Sequence, residues 1–308
     1  MDDIVAISLR ATGEYKLITE WEAINAAWRE VAFTVVQHKD TEGLWVLSEV
    51  DALYTFLDER MAGINMILGN RYAGVIREKA VQTKKDLNTL NNAVDEWITV
   101  QQEWMYLETI FKSPEIRKTL PAEQSMFDSV DKFFRGHMAK VYKTPKAAVL
   151  LRQTPKLVEN LADQNAALEH IRRKITAFLE TRRVSFPRFY FLSDEELLKI
   201  LANADDREIL QNFLKVLFDG INRLNEDELH SIEEMVSREG EVIRFSKPVK
   251  SSGSVETWLG KVQEAMKETL AKLIKEANKE LMGTTGKAPT PRKEWVLAHP
   301  AQVVTTVQ

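Results

Sequence analysis

Three long stripes of apolar residues, spaced three and four positions apart, constrain this chain more than any other feature. One runs through Leu157, Leu161, Gln164, Leu168, Ile171, Ile175 and Phe178, with Gln164 as its only polar member. A second contains Leu87, Leu90, Val94, Trp97, Gln101 and Trp104, and a third Val255, Leu259, Val262, Met266, Leu270, Leu273 and Ala277. This spacing puts every member on one face of an α-helix, whereas a half-buried strand would alternate every second residue. Glu169, Arg172, Arg173 and Lys174 fall on the opposite side of the first stripe. Each apolar face needs a partner surface, so helices must pack on helices. Pro114, Pro121, Pro145, Pro155 and Pro187 interrupt the pattern, and its Trp and Phe members are bulky. Both traits favour bundles within one chain over a thin two-stranded coiled coil between chains.

Composition agrees where it bears on the question. Only 12 Gly and 9 Pro in 308 residues favour long helices over a turn-rich β architecture. A formal charge of −4 argues against nucleic-acid binding by bulk electrostatics. The absence of cysteine excludes a disulfide scaffold and any thiolate metal site. The sequence contains neither a basic-apolar signal at its N-terminus nor an apolar run near bilayer length.

Periodicity predicts helices over 17–33, 49–68, 71–111, 122–139, 155–182, 194–202, 206–222 and 255–281, with residues 1–15 frayed or loosely docked. Thr34 to Leu47 is richer in β-branched residues and contains Gly43, which allows a short hairpin. A second hairpin has firmer grounds. Glu234–Ser237 and Val242–Phe245 flank a turn in which Gly240 can supply positive φ, with Lys247–Gly253 read as a loop beyond it.

Between helices, the run Phe186, Pro187, Arg188, Phe189, Tyr190, Phe191 and Leu192 forms a joint. Its four aromatics cannot share one helix face, and Pro187 stops the preceding helix from running through them. Ser193 or Asp194 can then cap a new helix, with Asp194, Glu195 and Glu196 favoured in its first turn by the helix dipole. Arg188, inside the aromatic run, is expected to pack over a ring or meet a buried carboxylate.

The run from Phe186 to Leu198 resembles the signature of the dynein heavy-chain linker region. Trp97, Gln101, Trp104, Tyr106, Leu107, Glu108 and Phe111 resemble that family's signature helix, with Leu120-Pro121-Ala122-Glu123 at its usual place. Ser237-Arg238-Glu239-Gly240-Glu241 is similar to the family's glycine-turn hairpin, and Val255 to Leu259 opens its next helix. Trp104 to Phe111, followed by Ile116, is closer to axonemal than to cytoplasmic heavy chains. The resemblance implies a mainly α fold, an elongated rod of stacked antiparallel helix bundles with one or two small β-hairpins. Residues 1–48 would form an N-terminal docking segment and 49–185 the first bundles. Residues 186–308 would hold the joint, the hairpin near 234–246 and the C-terminal bundle, ending before the first ATPase module.

The implied role is mechanical. A lever of this kind joins the tail to a ring of AAA-type ATPase modules, and these are its expected partners, with microtubules engaged only through the parent motor. Neither nucleic acid nor membrane is expected. ATP and magnesium would belong to the parent ring in a cilium or flagellum, and this segment would hold no cofactor, metal or catalytic residue. Trp295 to Val304 resembles the helix leading toward the first ATPase module, and nothing resembles that module or a stalk, so a piece of a much larger protein is expected. A non-motor helical scaffold or tethering rod is the alternative. It would share the stripes but has no need of the joint.

Enzymatic motifs are weak. Gly283 and Gly286-Lys287 lie too close together for a phosphate loop, Ala288 replaces the required hydroxyl and Pro289 blocks a following helix, so this stretch reads as a linker. His38, His137, His170, His230 and His299 are scattered singly, which suggests surface or capping roles. The carboxylates Asp205-Asp206 and Glu226 to Glu228 suit helix first turns better than acid–base pairs. Arg172, Arg173, Arg182 and Arg183 form a basic cluster that is either the solvated face of a helix or a docking face for an acidic surface.

Overall fold

The computed structural model describes residues 2–38, 43–203, 206–227, 231–283 and 290–307. The linker stretch 284–289, His230, Asp205 and Glu228 lie outside the described residues. The fold is mainly α, with two small antiparallel sheets among the described residues. In chain order the first half contains α1 (Asp2–Glu30), β1 (Thr34–Gln37), β2 (Trp45–Ser48), α2 (Val50–Gly69), α3 (Arg77–Phe111), α4 (Pro114–Thr119), α5 (Pro121–Lys143) and α6 (Ala147–Gln153). Then follow α7 (Leu157–Ser185), α8 (Asp194–Ala202), α9 (Arg207–Leu217), β3 (Ile221–Glu226), β4 (Ser231–Ser237), β5 (Val242–Lys250), α10 (Val255–Leu281), α11 (Arg292–Ala298) and α12 (Ala301–Val307). Two compact units result: Met1–Lys112 with Leu120–Arg173, and Ser113–Thr119 with Lys174–Gln308.

In the first unit, the stripe on α3 is buried without exception from Leu87 to Phe111 at its apolar positions, against α2, α5 and β2. Trp97 packs on Phe33 at 5.2 Å between ring centroids, and Phe111 stacks on Phe127 at 5.1 Å. The β1–β2 hairpin is antiparallel, with Val35 opposite Leu47. Its β2 edge is closed by a side chain: the Gln101 amide accepts from Leu47 N–H at 2.8 Å and donates to the Leu47 carbonyl at 3.1 Å. A glutamine thus supplies the rung that a third strand would otherwise give.

Of the two N-terminal expectations, frayed or loosely docked, fraying is corrected: residues 2–15 are the first turns of α1, with Ile4, Val5, Ile7 and Leu9 exposed. Packing begins at Gly13, where an added Cβ would fall 2.5 Å from the Tyr72 ring, and continues through the buried Leu17, Ile24 and Trp28. The sequence before Gly13 contains no breaker, so a helix anchored further on propagates back through it.

In the second unit, α9 ends at Leu217, five residues before the predicted boundary at 222, and the chain turns at Phe218 to enter β3. This adds an unpredicted strand to the hairpin and gives a sheet of order β3-β4-β5. Gln211 on α9 repeats the glutamine device, accepting from Leu224 N–H at 3.1 Å and donating to its carbonyl at 2.8 Å. The predicted loop from Lys247 is strand as far as Lys250. Pro248 is tolerated because β5 is an edge strand, paired only with β4. The stripe of α10 packs on β5, α11 and α12, and Trp295 donates from Nε1 to the Ala277 carbonyl at 2.9 Å beside Val303 and Val304.

Candidate functional site

The aromatic joint lies in the second unit. The α-helix α7 stops at Ser185 and Phe186 is extended, as the residue before a proline prefers. Pro187 then opens a 3-10 turn, Pro187–Phe191. A 3-10 turn repeats every three residues, so positions three apart share a face. Phe186, Phe189 and Leu192 accordingly point inward and are buried, while Tyr190 and Phe191 are 57% and 65% exposed. Phe189 meets Phe186 edge-on at 5.0 Å, and Phe186 also faces Phe218 at 6.3 Å. The aromatics are divided between core and solvent.

Two arginines fasten the turn. Arg188 lies over the Phe218 ring at 4.8 Å, donates from Nε to Gln263 Oε1 at 2.8 Å, and donates from Nη1 to the Leu217 carbonyl at 2.7 Å. It therefore ties the turn to α10 and to the C-terminal end of α9, where unpaired carbonyls await donors. Of the two expected alternatives, a ring or a buried carboxylate, the ring is present, and the acceptors of Arg188 are neutral. Arg183, from the last turns of α7, is buried and donates to Glu180 at 2.9 Å, to Asp194 at 2.8 Å and to the Leu192 carbonyl at 3.1 Å. Burial opposes its charge, yet hydrogen bonds and attraction from Asp194 and Glu180 outweigh burial, and its pKa is raised above the ordinary value.

The exit from the joint is capped. Ser193 accepts from Glu196 N–H at 3.2 Å, while Glu196 Oε2 accepts from Ser193 N–H at 2.9 Å, which is a reciprocal capping box. These bonds from Ser193 hold the Glu196 carboxyl below its usual range, the backbone donor contributing most. Tyr190 Oη donates to Glu180, and partial desolvation together with that bond raises the phenol pKa.

The arginines of the basic cluster have partners within the chain. Arg182 pairs with Glu256 and lies over Phe178, and Arg183 is buried as described. Arg172 pairs with Glu103 and Arg173 with Glu169, and both remain largely exposed. Of the four arginines, Arg172 and Arg173 are the more exposed.

On α3, Trp97, Trp104, Leu107 and Phe111 are buried, Gln101 bonds β2, Tyr106 lies under Arg172 at 6.0 Å, and Glu108 pairs with Lys112 at 2.9 Å. At the hairpin turn, Gly240 has φ of 88° and donates to the Ser237 carbonyl, while Glu241 accepts from Ala301 N–H at 2.9 Å. Glu239 is exposed at the tip.

His137 corrects the reading of the histidines as surface or capping residues. It is buried between Trp97 at 4.5 Å and Phe133 at 5.8 Å. Its place in the stripe Phe127, Val130, Phe134, Met138 and Val141 was readable, but a lone His carries no apolar signal. Burial first, and then Lys140, push its pKa down from 6.5 to about 4. The unfolded chain binds more protons between those values, so this contribution is intact above pH 6.5 and is lost as pH falls toward 4. Denaturant unfolding at pH 7 and pH 4, compared with His137→Phe, is expected to reveal an extra loss of roughly 3 kcal/mol in the unsubstituted chain. Equal slopes in the two proteins would refute it.

Residues 1–277 match the family described as dynein heavy chain, N-terminal region 2. The chain belongs to the dynein heavy-chain family. It is 35% identical over 99% of its length to dynein axonemal heavy chain 6 of Homo sapiens. It is 32% identical over its full length to dynein axonemal heavy chain 3 of Mus musculus, and 33% identical over 99% of its length to the mouse dynein axonemal heavy chain 2. It spans only 7–8% of the length of these heavy chains. Within this dynein heavy-chain region, sequence reasoning marked the joint but missed its partners Phe218 and Gln263, and Glu256 beside the neighbouring Arg182. These come from α10 and the end of α9, up to 75 positions away, and no local pattern connects them.

Proposed function

We propose that this region is a mechanical linker of an axonemal dynein heavy chain, passing the work of ATP hydrolysis in an AAA-type ring to the tail in a cilium or flagellum. The observation that carries the reading is the joint itself. Its 3-10 turn follows a proline-terminated helix and is fastened by Arg188 to two further helix elements. Movement there requires loss of discrete hydrogen bonds and a ring contact, which is how a packed joint resists gradual deformation. Family membership and the axonemal names of the relatives support the setting. Ring and tail are the proposed partners, microtubules are reached only through the parent motor, and ATP and magnesium belong to the ring.

The test is made in the parent motor with Pro187→Gly combined with Arg188→Ala. The first change restores backbone freedom and the second removes the clasp. Gliding velocity or stall force is expected to fall proportionally more than ring ATPase rate. Equal losses would assign the joint to chemistry or folding and overturn the mechanical reading. This region by itself is expected to bind no nucleotide, and saturable ATP binding by calorimetry at micromolar affinity would contradict that.

A further inference from the structure

The hairpin turn borders a pocket that the lever reading does not use. It has a volume of about 400 Å³ and lies between the three-stranded sheet, α10 and the start of α12. Part of its wall is apolar: Met235 and Val236 are buried, and Ile243, Met266 and Leu270 are half-buried. Three carboxylates, Asp219, Glu239 and Glu241, line it against one cation, Arg188. Those four groups have unequal freedom.

Arg188 is held by Gln263, the Leu217 carbonyl and the Phe218 ring. Asp219 is paired with Arg238 at 3.3 Å. Glu241 has one oxygen committed to Ala301 N–H. Glu239 has neither a hydrogen bond nor an ion pair among the described residues. Arg188 and Arg238 offset two of the three carboxylates, so the pocket presents partly apolar walls beneath a mouth with one net negative charge, and acceptor capacity remains on Glu239 and Glu241. An uncharged apolar group would fill the walls but desolvate carboxylates without compensation, and an anion would meet repulsion. Lysine and arginine match both features, since they lay an aliphatic stem on apolar surface and keep a charged head at its edge.

We propose that this pocket receives one lysine or arginine side chain from a loop or terminus of a partner polypeptide, with its stem against Met266 and Leu270 and its charged head between Glu239 and Glu241. The proposal is independent of the lever reading. It gives the hairpin turn a recognition role and Gly240 the task of holding the two glutamates on either side of a tight reversal.

The test uses the whole chain labelled at its methionine methyl groups, with acetyl-Leu-Arg-Leu-amide as the probe and acetyl-Leu-Gln-Leu-amide as the control. The arginine peptide should shift Met235 and Met266 saturably and leave Met61 and Met105 unmoved. The glutamine peptide should shift neither pair. In Glu239→Gln combined with Glu241→Gln, where the acceptor for Ala301 is kept, affinity should fall about tenfold or more. Where that double variant has an altered melting curve, Glu239→Gln alone decides, because Glu239 makes neither a hydrogen bond nor an ion pair among the described residues and is exposed. Absence of shifts at Met235 and Met266, equal shifts with both peptides, or undiminished binding to the glutamine variants would each overturn the proposal.

Discussion

Phe189→Ala is expected to destabilise the unit that contains the joint by about 3–5 kcal/mol, while Phe191→Ala, at a residue 65% exposed, is expected to cost under about 0.5 kcal/mol. The contrast follows from the period of the turn. Phe189 is fully buried, is edge-on to Phe186, and anchors the Leu192 N–H through its own carbonyl. Its truncation leaves a void beside Phe186, whose ring is also held against Phe218 and so is not free to collapse fully into it. Phe191 two residues on faces solvent, so its ring contributes little to folding. Denaturant unfolding, monitored together with hydrogen exchange of α8 and α10 amides, checks both values. Similar losses for the two variants would mean that the turn does not keep its three-residue period in solution. A negligible loss for Phe189→Ala would remove the joint's claim to rigidity.

Much of the architecture was legible because helical stripes are local. The stripe from Leu87 to Trp104 specified both the helix and its buried face, and it is buried as read. The capping box at Ser193 and Glu196 and the turn at Gly240 were equally local, since each depends on residues at most four apart. What was missed depends on partners distant in sequence. The strand β3 has polar Asn222, Arg223, Asn225 and Glu226 among its six residues and exists because β4 and the Gln211 amide accept it. The α1 turns before Gly13 have no buried apolar face to read. All three inward residues of the joint were in view, but an α-helical or extended period would have oriented them differently, and only the structure reveals the period of three.

The other large effect is expected at Trp104 in the first unit. Trp104→Ala should cost about 3–5 kcal/mol, and Trp104→Phe only about 1–2 kcal/mol. The indole stacks on Phe134 at 4.7 Å, lies under the Arg135 guanidinium at 5.5 Å, and donates from Nε1 to Asp131 at 3.1 Å. Phenylalanine keeps the stack and the cation-facing ring but loses the donor. Asp131 retains Arg135 at 2.7 and 2.9 Å and some access to water, so that loss is partly compensated. Alanine removes the stack as well and opens a void on the fully buried face of α3, between positions fixed by Trp97 and Leu107. Unfolding of the two variants therefore separates ring volume from the indole hydrogen bond. If phenylalanine costs as much as alanine, the Trp104–Asp131 bond rather than packing dominates, and α5 would then be held to α3 chiefly by a polar link instead of by the apolar stripe.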